Sequence, residues 1–85
     1  MDSSERLLKI TELSKELEGD PGLIDDIVFN GEIMDMMLSL LKDIKNNNDR
    51  SFENRKSAKI LLRCLPKQSV KLQLMRKTLE ELGIL

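Results

Sequence analysis

SFENRKSAKILLRCLP, residues 51–66, decides how the whole chain is read. Ser51 is a good N-cap, because its hydroxyl can accept from the unpaired N–H groups of a first helical turn. Glu53 adds negative charge to that turn, where the helix dipole favours it. Steps of three and four link Ala58, Leu61, Leu62 and Leu65, and with Phe52 ahead of them they predict one apolar helical face. Arg55, Lys59 and Arg63 repeat every four residues and line a different face. Pro66 has no N–H to donate and disfavours helical geometry at Leu65, so the helix should stop there. A core stripe, a basic stripe and two ends come from one segment.

Composition sets the frame around it. A chain of 85 residues makes a single small domain that buries about 60–65% of its unfolded surface, so its core is small. The apolar residues are mostly Leu, Ile and Met, while β-branched residues and turn dipeptides are few, which argues against a β-sandwich or barrel. No apolar run reaches the ~18 residues of a membrane span, and MDSSERLL does not open like a secretory signal. The lone Cys64 has no partner in the chain, which fits a reducing cytoplasmic or nuclear setting.

Four further helices are expected. The first runs from Ser3 or Ser4 to Glu18, capped by Asp2 or Ser3, with Leu7, Ile10, Leu13 and Leu17 as its apolar stripe. Gly19 stands where a left-handed C-terminal residue is wanted. Asp20-Pro21 then restarts the chain with a cap and a proline at the first helical position. A short second helix over residues 21–29 buries Leu23, Ile24, Ile27 and Val28, and Asn30-Gly31 ends it. The third, residues 31–45, is apolar almost all round, so it is central to the fold or partly covered by a partner. Asn46-Asn47-Asn48-Asp49 is a polar loop. After a tight link at Lys67-Gln68, the fifth helix begins near Ser69 and uses Leu72, Met75, Leu79 and Leu82. Gly83 signals its end, and Ile84 can fold back on Leu79.

Two families share features with this pattern. Residues 26–33 and 79–85 each join an apolar, acid-bearing helix end to Gly and then Ile; between them lie IMDMMLSLLKD and ENRKSAKILLRCLP. This order resembles an armadillo repeat: a short helix ending in Gly, an LLxLL-type helix, a polar loop and a third helix. The resemblance implies a five-helix, armadillo-like right-handed helical bundle, with 21–31, 33–45 and 51–65 as one repeat. It places Cys64 where peptide-binding members carry a clamping Asn, so it implies the fold more than that binding mode. KILLRCLPKQSVKLQLMRKTLEELG also resembles the latter half of a caspase-recruitment domain, which would imply a six-helix death-fold bundle.

Chemistry finds few footholds. The chain has no His, the commonest general base and metal ligand. Cys64 beside Arg63 could be an activated thiol, but a structural Cys in the core is the simpler reading. Asp25 and Asp26 are adjacent and point apart on a helix, so they share neither a proton nor a metal. There is no glycine-rich phosphate loop. No enzymatic activity and no cofactor are expected.

Charge is more informative. Residues 1–49 hold 5 basic and 12 acidic side chains, whereas residues 50–77 hold 9 basic and 1 acidic. The near-neutral total therefore conceals a dipolar molecule. A basic face of Arg55, Lys56, Lys59, Arg63, Lys67 and Lys71 is the candidate partner-binding surface; the bland alternative is a solvated face neutralised by the acidic N-terminal helices. Met34, Met36 and Met37 form a second candidate face, since flexible thioethers suit helix binding, although Met also fills core gaps. These features predict a protein–protein interaction module, an adaptor binding an acidic or helical partner. The alternative is a helical domain that contacts nucleic-acid phosphates through the same face. Stacking on single strands is disfavoured if Phe29 and Phe52 both lie in the core. Oligomeric state is left open.

Overall fold

The computed structural model describes residues 2–85. Four α-helices carry the chain: α1 (Ser3–Gly19), α2 (Ile27–Asn46), α3 (Phe52–Cys64) and α4 (Val70–Glu81), with a 3₁₀ turn at Pro21–Asp25 between the first two. No strand occurs among the described residues. The fold is all-α as expected, but neither the five-helix count nor the six-helix alternative survives.

The difference arises at Asn30-Gly31, which does not end a helix. Asp26 caps α2, its carboxylate accepting from the Phe29 N–H at 2.9 Å. Asn30 then donates its side-chain amide to the carbonyls of Ile24 and Asp26. Its polar group therefore fastens the 3₁₀ turn to the first turn of α2, and Gly31 continues as helix. Ile27 and Val28, expected in the core, lie on that first turn and are 88% and 72% exposed. Leu23 and Ile24 are half-buried. Gly19 also departs from expectation: it ends α1 within the helix, and Asp20 beyond it leaves the helical region at φ −144° and ψ 88°.

The other boundaries follow the local chemistry. Asp2 accepts from the Glu5 N–H, Ser51 from that of Asn54, and Ser69 from that of Lys71. Leu65 adopts φ −97° and ψ 147° ahead of Pro66, and α3 ends. Gly83 is left-handed at φ 75°. The N–H groups of Ile84 and Gly83 return to the carbonyls of Leu79 and Glu80 at 2.9 and 3.0 Å, which is the Schellman arrangement, and Ile84 is buried.

α3 packs against each of the other three α-helices. Its N-terminal Asn54 meets Arg6 near the start of α1, and its C-terminal Cys64 meets Ser14 near the end, so α1 and α3 run parallel. Arg6 also reaches Ser39 and Asp43 late in α2, so α2 runs the opposite way. Ile10, Ile33, Leu40, Ile44, Leu61 and Leu79 are almost wholly removed from water at the centre.

Phe52 is the main correction within α3. It lies nine residues before Leu61, and at about 100° per residue that is half a turn out of phase. It is 65% exposed. Asn54 and Ser57 occupy the core face instead, with Ala58, Leu61, Cys64 and Leu65.

Candidate functional site

The face of α3 opposite Leu61 carries Phe52, Arg55, Lys56, Lys59 and Arg63, all exposed. At one end, Phe52, Arg55, Lys56 and Lys59 surround a hollow of about 200 Å³ with Ile84 against it. At the other, Arg63, Lys67 and Arg76 rim a wider cleft of about 490 Å³, with Leu62, Leu65 and Leu72 in its walls. Arg55, Lys59 and Arg63 form the ridge between these two depressions, roughly 12 Å long over two helical turns. The helices explain the layout: Ile84 meets the start of α3 and Leu72 meets its end, so α4 runs antiparallel to α3. Arg50 fixes this hairpin by donating to the Leu82 carbonyl, a cation at the C-terminus of α4.

Of the expected basic face, the structure keeps Arg55, Lys56 and Lys59 together and joins Arg63 and Lys67 to Arg76. Lys71 stands apart, in a groove between α2 and α4. The sole ion pair among the described residues is Arg6–Asp43. The ridge cations therefore form no ion pair with the acidic helices. The methionine face is corrected: Met36 and Met37 are buried at 5% exposure each, and only Met34 is half-exposed. Their spacing places Met36 and Met37 on the core side of α2, as gap fillers.

A buried polar cluster sets the position of α3 and was not anticipated. Arg6 is fully buried. Its guanidinium donates to Asp43 Oδ2 at 2.7 Å, to Ser39 Oγ at 2.8 Å and to Asn54 Oδ1. Asn54 in turn donates to the Asp49 carbonyl at 2.7 Å. One arginine thus joins three helices and the loop before α3, and its fork suits several acceptors at once. The Arg6 hydrogen bond and charge hold the Asp43 carboxyl below its ordinary pKa, against the opposing effect of partial burial. A trace was present in the sequence: Arg6, Ile10, Leu13 and Leu17 follow helical core spacing, so Arg6 heads the apolar stripe.

Cys64 lies in the core, and burial pushes its thiol pKa up, with smaller lowering effects from Ser14 and Arg63. A thiol reagent is expected to label it slowly in the native protein and rapidly in denaturant. Rapid native labelling would contradict the packing of α3 on α1. Among the described residues, no group of three or more His, Cys, Asp and Glu side chains could hold a metal ion, and no helix is long and apolar enough to cross a membrane.

No family model matches the chain, and no curated protein or solved structure matches it.

Proposed function

We propose that the chain is a non-enzymatic interaction module, an adaptor, whose α3–α4 face docks an acidic segment of a partner protein. The observation that carries this reading is the cationic ridge of Arg55, Lys59 and Arg63, free of ion pairs, with a leucine-walled cleft at one end and a hollow between Phe52 and Ile84 at the other. Carboxylates along a partner can meet the ridge while apolar side chains enter the depressions. Charges arranged this way steer encounter and set orientation more than they add raw affinity. The armadillo-like reading belongs to the same proposal. Its support is the order α2, α3, α4, although a 3₁₀ turn stands where that repeat has its short first helix. Cys64 is buried, so a backbone clamp at that position forms no part of it. A free thiol in the core supports a cytoplasmic or nuclear setting.

The combined substitution Arg55→Glu, Lys59→Glu and Arg63→Glu is the test. Exposed charges contribute under about 1 kcal/mol each to stability, so helix content by circular dichroism should be unchanged while capture of an acidic partner is lost. Capture that survives the triple reversal would contradict the assignment.

One observation favours a second reading. Phe52 is exposed beside Arg55, Lys56 and Lys59, an aromatic face among cations of the kind on which an unpaired base stacks. Nucleic-acid binding would appear as an electrophoretic shift of single strands or duplex that weakens with salt. No shift at low salt would remove it.

A further inference from the structure

On α2, the helix face turned away from Ile33, Leu40 and Ile44 is not uniformly polar. Ile27, Met34, Leu38 and Leu41 follow one another at steps of seven, four and three, the spacing of a two-helix seam. Ile27 is 88% and Leu38 60% exposed, while Met34 and Leu41 are half-buried. Gly31 lies within the seam, and nothing stands within 4 Å of where its Cβ would be. Leu74 of α4, also exposed, borders the groove of about 180 Å³ that runs beside Met34 and Leu41. On this twenty-residue helix α4 covers Met34 and Leu41 only in part, and Ile27 and Leu38 have no partner within the chain.

The charges flanking the strip indicate what covers it. Asp35 and Lys42 are seven residues apart, so both lie on the same edge of the seam, and both are exposed. When two identical helices pair antiparallel about a two-fold axis, each edge meets its own equivalent. Asp35 would then face Lys42 of the partner subunit, and the same contact would repeat across the axis. Parallel pairing would set each edge against the opposite one and form no Asp35–Lys42 pair. Antiparallel pairing also aligns the helix dipoles favourably. We infer that the chain self-associates as a two-fold dimer through α2, with Met34, Leu38 and Leu41 in the seam and Asp35–Lys42 pairs at its edge. This surface lies on a different helix from the α3 ridge, so a dimer presents two ridges to a partner. Two linked ridges raise avidity without any new contact.

Sedimentation equilibrium of the intact chain tests the inference. A seam on one helix is small, so dissociation is expected within about 10 µM to about 1 mM. The apparent mass should rise from one chain towards two across that range. Leu38→Lys should raise the dimer dissociation constant at least tenfold with unchanged helix content, because Leu38 is exposed and its replacement leaves the core intact. Asp35→Lys alone should weaken association, and Asp35→Lys combined with Lys42→Asp should restore it. A monomer throughout the range would overturn the inference and leave the strip to a different protein. A dimer indifferent to Leu38→Lys, or not rescued by the exchanged pair, would overturn the seam.

Discussion

Arg6→Ala is expected to cost about 3–5 kcal/mol of folding stability, because it leaves a carboxylate, an amide oxygen and a hydroxyl in the interior without their donor. The Asp43 side chain retains 22% exposure, so water reaches it and offsets part of that cost. In a small domain holding on the order of 5–10 kcal/mol, most of the margin would go. Arg6→Lys should recover only part of it: an ammonium keeps the charge but cannot fork between Asp43 and Asn54. The pH dependence has a definite sign. The folded pKa of Asp43 is lowered, so its contribution is complete above the ordinary carboxylate value near about 4 and is lost as pH falls through the lowered one. Acid unfolding of the native chain should therefore carry a component that Arg6→Ala lacks. Urea titrations at neutral and acidic pH would show both effects, and an unchanged midpoint for Arg6→Ala would mean that the cluster does not hold α3 in place.

Leu61→Ala should be nearly as severe. Leu61 is fully buried on the core face of α3, and truncation at such a site costs about 2–4 kcal/mol through lost burial and the cavity left behind. For a domain of this size the melting temperature would fall by roughly 10–25 °C. Phe52→Ala is the control: a larger side chain is removed, yet Phe52 faces water, so stability should move by only about 0.5 kcal/mol. Equal effects from the two substitutions would contradict the rotation of α3 described above.

That rotation marks where the sequence stopped being legible. Ala58, Leu61 and Leu65 define a face by spacing alone, and the caps at Asp2, Asp20, Ser51 and Ser69 could be read from residue type. Spacing placed Phe52 on that face, although it stands six residues before Ala58 and its phase relative to Leu61 is opposite. Asn30-Gly31 has the chemistry of a turn, but Asp26 four residues earlier provides a cap, and a capped helix runs through the pair. The Arg6 cluster was hidden for a different reason. Its members are distant in sequence, and an arginine at a core position is recognised only once Asp43 and Asn54 are known to face it. For the candidate site, the basic side chains were evident from composition. Their division into a ridge with two flanking depressions, and the removal of Lys71 to another groove, depend on how α4 packs against α3.

The most direct test of the cationic face is a nuclear magnetic resonance titration of the isotope-labelled chain with a synthetic amphipathic peptide carrying glutamates beside a leucine stripe. Saturable shifts are expected at Leu62, Leu65 and Leu72 and along Arg55, Lys59 and Arg63, with affinity falling as salt rises. Shifts confined to α1 and α2, or none that saturate, would contradict the docking face on α3 and α4.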